Sequence, residues 1–336
     1  MDRLISSLIF SFFIIGSWAA INLPGSWPRT DVAPPPVPSW TALVNQTTIL
    51  NIPISGEICP STDTYCSWRC APKCSRSTDI ESCSQIKDWG FSFDDGPSNN
   101  TLPVLDFLKS QGIKATFFVI GSRVIEYPDI LNKTYAAGHD IAIHTWSHTK
   151  LTTQTNEQII AELKWTEKAI KQVIGITPKF MRPPYGDLDD RVREIIKQLN
   201  YTAILWDSDS KDWTSIGAPS FNISWITGNF TIWSKNTTWN SGHISLQHDL
   251  YKQTAAEIPP SIKIVQNAGF TIKSVSNCIG RDPYQEIGAV HSESINTNTM
   301  STNSTVNPQQ SKGATDRALN YSYIIRTILF VFFMFF

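Results

Sequence analysis

Short apolar runs alternate with helix-like segments from Trp89 to Ser276, and this alternation constrains the fold more than any other feature of the chain. The strand-like runs are WGFSF (89–93), ATFFVIG (115–121), DIAIH (140–144), KFMR (179–182), TAILWD (202–207), HISLQH (243–248) and FTIKSVS (270–276). Helical stretches separate them: Leu102–Lys109, Val124–Ala137, Val192–Leu199, Ile262–Asn267, and a long segment whose Ile159, Leu163, Thr166, Ile170 and Val173 recur at helical spacing. Strands that alternate with helices pair in parallel and are covered on both faces. About seven or eight such units predict an α/β fold, a closed or nearly closed (β/α) barrel, with chemistry at the C-terminal ends of the strands.

That rule selects candidates directly. Asp94 and Asp95 follow the first strand, His144 and His148 the third, Arg182 the fourth, Asp207 and Asp209 the fifth, and His248 ends HISLQH. Histidines four residues apart, as in HTWSH, share a face of a helical turn and suit zinc. A catalytic zinc takes three protein ligands and leaves a position for water, so a carboxylate is the expected third. FSFDDGP (91–97) supplies one and one to spare. An isolated Asp-Gly pair reads as a turn; beside a histidine pair, the same turn separates a metal-binding carboxylate from one that takes a proton from water of pKa about 7. The residues alone do not say which aspartate does which. His248 is the candidate general acid, with a buried aspartate such as Asp209 holding its tautomer and favouring its charged form.

These motifs resemble those of the polysaccharide deacetylases of carbohydrate esterase family 4, and within it the fungal chitin deacetylases. SFDDGP (92–97), HTWSH (144–148), RPPY (182–185), DSKDW (209–213) and LQH (246–248) stand in the family's order, and the one departure is Ser92 where the family has Thr. The resemblance spans Trp89 to Ser276 and implies a distorted (β/α) barrel. It implies Asp94 as base, oriented by Arg182, and Asp95, His144 and His148 as ligands of one divalent metal, Zn2+ or alternatively Co2+. It further implies His248 as acid tuned by Asp209, a Tyr185 N–H on the oxyanion, and Trp213 and Leu246 around the acetyl group. The expected activity is chitin deacetylation, releasing acetate and leaving chitosan in the cell wall. The alternatives are another acetylated polysaccharide as substrate, or a wall-binding protein without turnover. A monomer is expected.

The flanks point to an exported protein. Arg3 and the apolar run Leu4–Gly16, then Ser17-Trp18-Ala19, read as a signal peptide, the run being well short of the roughly 20 residues of a spanning helix. Ser311 or Gly313, a polar spacer and the apolar tail Ile324–Phe336 have the layout of a GPI signal, which makes the plasma membrane a partner and its outer face, or the wall, the location. Six cysteines, Cys59, Cys66, Cys70, Cys74, Cys83 and Cys278, then read as three disulfides; six allow 15 connectivities, and one of the first five is expected to join Cys278. Sequons begin at Asn45, Asn99, Asn132, Asn200, Asn222, Asn229, Asn236, Asn303 and Asn320 and are expected to be glycosylated surface sites. A net charge of −1 with no basic run leaves no footprint for nucleic acid. The predicted organisation is a signal peptide (1–19), an extended Pro/Ser/Thr-rich arm (20–58), a cysteine-rich lead-in (59–85), a catalytic domain (86–282), a disordered Ser/Thr/Asn-rich stalk (283–313) and a removed tail (314–336).

Overall fold

The computed structural model describes residues 21, 23–54, 59 and 62–286. The predicted signal peptide, most of the stalk, the tail, Asn303, Asn320, Ser311 and Gly313 lie outside the described residues. Among the described residues no helix is long and apolar enough to cross a membrane.

Among the described residues eight strands form one sheet: β1 (Asp88–Asp94), β2 (Thr116–Val119), β3 (Asp140–Ile143), β4 (Phe180–Met181), β5 (Thr202–Ala203), β6 (Ser208–Asp209), β7 (His243–His248) and β8 (Thr271–Lys273). Their order is β5-β4-β3-β2-β1-β7-β6, with β8 paired to β1, and every pairing is parallel. β1 is the axis. It runs in register with β7 from Trp89 opposite His243 to Asp94 opposite His248, and every residue of β1 is buried. Trp89, Phe91 and Phe93 pack with Phe117 and Phe230 into the main core. β5 and β6 are not hydrogen-bonded to each other, so the barrel has a seam, and Ile80 of the lead-in fills it. Ile80 N donates to Ala203 O at 3.1 Å, and Leu205 N donates to Ile80 O at 2.7 Å. The result is a distorted (β/α) barrel, nearly closed as the alternation predicts and distorted as the family resemblance implies.

The long helix is Asn156–Ile174, started by a reciprocal Thr155/Gln158 capping box and stopped by Gly175 at φ 76°. Its Ile159, Leu163, Thr166 and Ile170 are buried, as their spacing predicts. Other elements differ from expectation. The helix predicted over Val124–Ala137 is two, Gly121–Glu126 and Pro128–Ala136, because a proline suits the first turn of a helix and not its interior. TAILWD is a strand only at Thr202–Ala203; the chain then leaves the sheet at the seam and returns as β6 beside β7. FTIKSVS ends early and becomes helix Val275–Ile279, and helices Ser224–Lys235 and Lys252–Ala256 have no strong periodic signal in the sequence.

The Pro-rich segment packs against the barrel. Val44 and Ile52 are buried, Trp27 stacks on Trp146 with ring centroids 6.2 Å apart, and Trp40 meets Trp165 edge-on at 5.0 Å. The segment is not extended throughout, since Pro38 suits the first turn of a helix and opens Pro38–Thr41, which carries Trp40; its tryptophans supply apolar surface that holds it against the barrel. Three disulfides close, Cys59–Cys70, Cys66–Cys74 and Cys83–Cys278, so it is Cys83 that ties the start of the barrel to its end.

Candidate active site

Parallel strands bring their C-terminal ends to one mouth, and β1 contributes first. Asp94 is the last extended residue of β1, whereas Asp95 has φ 78°, a left-handed conformation that aspartate tolerates better than most residues. Adjacent carboxylates are thereby aimed at different partners. The Asp94 side chain is buried and its Oδ1 accepts from Arg182 Nη1 at 2.8 Å. Arg182 is itself fully buried and fixed. Nη1 donates to Ser92 Oγ at 2.8 Å, Nε and Nη2 donate to the carbonyls of Ile204 and Leu205 at 3.1 Å each, and the guanidinium lies 4.0 Å over the Phe118 ring. A buried ion pair of this kind is costly to break from one side only.

Asp95 turns toward the histidines. Its Oδ1 lies 3.4 Å from His144 Nε2 and 3.3 Å from His148 Nε2, and ligand atoms from the three residues lie within 4.8 Å of one another. That Oδ1 is buried and accepts no hydrogen bond from the described residues. His144 Nδ1 donates to Arg182 O at 2.8 Å, which leaves the Nε2 lone pair facing Asp95. Burial pushes the His148 pKa down to about 4 against the opposing charge of Asp95, so His148 is neutral at physiological pH. Burial works against ionisation of Asp95, but His148, His144 and His248 outweigh it and hold its carboxyl below the usual range. Two imidazoles and one carboxylate, whose buried Oδ1 is unsatisfied, are a donor set that fits a divalent metal.

The loop between the histidines is held from behind by a residue that the sequence reading missed. Glu162, fully buried on the long helix, accepts from Trp146 N at 2.7 Å, from Ser147 N at 2.9 Å and from Gln154 Nε2 at 3.2 Å. Its only signal was a charge set inside the apolar stripe between Ile159 and Leu163. Trp146 also receives the arm, stacking on Trp27 and donating from Nε1 to Arg29 O at 3.1 Å.

Across the cleft the structure corrects one assignment. The carboxylate on His248 is Asp212, not Asp209: Asp212 Oδ1 is 2.7 Å from His248 Nδ1, and Oδ2 accepts from His248 N at 2.8 Å. Register explains the difference. Asp209 lies opposite Leu246, two residues short of His248, and accepts instead from Lys211 N at 2.9 Å and Lys211 Nζ at 2.8 Å. Lys211 is left-handed, at φ 61°, and the chain folds back there so that the buried Asp212 comes over His248. Both aspartates stand in DSKDW, and spacing alone did not choose between them. Burial alone would lower the His248 pKa; the charge and hydrogen bond of Asp212, helped by Asp95 and Asp94, reverse this and raise it to about 10.

These groups open into a cavity of about 720 Å³ lined also by Tyr185, Trp213 and Leu246, the three predicted substrate contacts. Tyr185 is exposed, left-handed at φ 60°, and its ring centroid lies 4.7 Å from that of His148; Trp213 is exposed and Leu246 buried. Trp68, Arg69 and Lys73 of the lead-in form a further wall, for which the sequence carried no signal. Asp207 also lines this cavity, but its carboxylate is engaged by His243 Nδ1 at 2.9 Å and by Ile244 N at 3.0 Å. Among the described sequons, Asn45, Asn99, Asn200, Asn222 and Asn236 are exposed, while Asn132 and Asn229 are partly buried and Asn229 Nδ2 donates to Ser210 O at 3.2 Å.

A sequence profile of the polysaccharide deacetylase family matches residues 81–204. Chitin deacetylase 1 of Cryptococcus neoformans is 39% identical over 282 residues, covering 76% of this chain and 59% of that protein, so the chain spans less than two thirds of that relative's length. Chitin deacetylase 1 of Saccharomyces cerevisiae is 33% identical over 262 residues, covering 77% of this chain and 81% of that protein. Among solved structures, the chitin deacetylase of Colletotrichum lindemuthianum superposes with a TM-score of 0.58 at 27% identity, over 62% of this chain and 95% of that one.

Proposed function

Because the chain belongs to the polysaccharide deacetylase family, we propose that it removes acetyl groups from N-acetylglucosamine units of chitin, leaving chitosan and acetate. The observation that carries this reading is a base, an acid and a three-ligand centre lining one cavity: Asp94 held by Arg182, His248 held by Asp212, and Asp95, His144 and His148. Asp95, His144 and His148 would hold one divalent ion, Zn2+ in our reading and Co2+ as the alternative. When bound, the ion supplies Lewis acidity toward the acetyl carbonyl and lowers the pKa of water to about 7.

The remaining work belongs to the chain. Asp94, fixed by Arg182, takes a proton from the attacking water as the water oxygen bonds to the acetyl carbon. His248, charged because Asp212 holds Nδ1, gives the Nε2 proton to the departing nitrogen as the C–N bond breaks. Acetate keeps the water oxygen, and the sugar keeps a neutral amine. Leu246 and Trp213 border the methyl group, and the Tyr185 N–H is the donor we assign to the carbonyl oxygen. The test is acetate release from chitin oligomers, before and after chelation and after Zn2+ or Co2+ is restored. Release that needs the metal is expected; sugar-chain cleavage without acetate would overturn the reaction.

A further inference from the structure

Asp249 follows His248 at the end of β7, and no step above uses it. Its side chain is completely buried and its Oδ1 has no hydrogen-bond donor among the described residues. What surrounds it is the turn that carries Asp94 and Asp95. Thr101 Oγ1 donates to Asp249 Oδ2, Ser98 Oγ donates to Asp249 O at 2.9 Å, and Asp249 N donates to Asp94 O at 3.3 Å. Gly96 presses closest. A Cβ on Gly96 would stand 2.6 Å and 2.7 Å from the two carboxylate oxygens, nearer than real Cβ atoms come to any neighbour. The glycine of DDGP is thus required by the aspartate that follows LQH, and two motifs far apart in the chain interlock as one shape. On its other side Gly96 O accepts from Ile120 N at 2.9 Å, so the turn is clasped between the ends of β2 and β7. A buried carboxyl with an unsatisfied oxygen is a poor way to fill a core, and such groups are retained where a particular geometry depends on them.

We propose that Asp249 is a positioning residue, whose side chain braces the Asp94–Asp95–Gly96 turn and thereby keys the base and metal-binding side of the cleft to the acid on β7. Its kinetic arm rests on the hydrolytic reading above; its metal-affinity arm does not. The experiment compares wild type, Gly96→Ala, Asp249→Ala and the double variant, by Zn2+ affinity in chelator competition and by kcat and KM for acetate release. Gly96→Ala is expected to lower kcat by about 10²-fold, since a displacement of the order of an ångström has that effect. Asp249→Ala is expected to lower Zn2+ affinity about tenfold, as loss of support behind a ligand does, with KM little changed. In the double variant the clash is gone, so it should exceed Gly96→Ala alone and approach Asp249→Ala. Strictly additive losses, or wild-type Zn2+ affinity and kcat in Asp249→Ala, would overturn the proposal. Should Asp249→Ala not fold, Asp249→Asn decides: near-wild-type Zn2+ affinity supports a role of shape, and loss of that affinity at an unchanged melting temperature overturns it. If the wild type releases no acetate, the substrate assignment fails while the four Zn2+ affinities still judge Asp249.

Discussion

On β1 and on β6 the chain reaches the cleft with two aspartates and a left-handed residue, yet the two turns divide the work differently. At β1 the left-handed residue is Asp95 itself, so adjacent carboxylates diverge and both face the cleft. At β6 it is Lys211, between Asp209 and Asp212, and only the second carboxylate reaches a catalytic group. The partners differ in kind. Asp94 is met by a wholly buried guanidinium, Asp212 by a largely buried imidazole, and Asp209 by an ammonium whose side chain is 55% exposed. A carboxylate's role here follows from the burial of its partner and the register of its strand, and a place in a motif does not determine it.

Five substitutions break or sharpen this contrast. The largest effect is expected at the ligands: Asp95→Ala or His144→Ala should abolish Zn2+ binding in chelator competition and reduce acetate release to background, and activity in either would end the metal assignment. His248→Asn comes next, with kcat lowered about 10²- to 10⁴-fold, the range for loss of a general acid, at unchanged Zn2+ affinity.

Asp212→Asn should be intermediate and should show a pH signature. The folded His248 pKa, raised to about 10, lies above its unfolded value near 6.5. Its contribution to stability is therefore complete below about pH 6.5 and is lost as pH rises through about 10. Without the Asp212 charge the pKa falls, so the alkaline limb of the rate profile, and the alkaline decline in melting temperature, should both move to lower pH. An unmoved alkaline limb would separate Asp212 from the acid. Smallest is Asp209→Asn, where an exposed ion pair worth at most about 1 kcal/mol predicts less than about a fivefold change in kcat. A loss at Asp209 equal to that at Asp212 would return the tuning role to Asp209.

Much of this was legible in the sequence because parallel strands obey a simple rule: Asp94, Asp95, His144, His148, Arg182 and His248 stand at or near strand ends and converge for that reason. Residues whose importance depends on a distant partner were not legible. Glu162 looks like a flaw in an apolar stripe until the backbone of Trp146 and Ser147 is seen against it. Asp212 and Asp209 are indistinguishable until β6 is registered on β7, and Asp249 has no meaning without Gly96. The packing of the arm was not legible either, since its prolines say nothing of the indole surface that Trp27 and Trp40 place against Trp146 and Trp165.

The Cys83–Cys278 disulfide, 195 residues apart in sequence, makes the barrel a covalent ring that contains every residue proposed for the chemistry. A single cut in the exposed stretch between Ile216 and Ile223 would open the ring without releasing a piece. Base and acid would then lie on separate peptides still tied at the far end of the barrel, and only a nick followed by a reductant could part them.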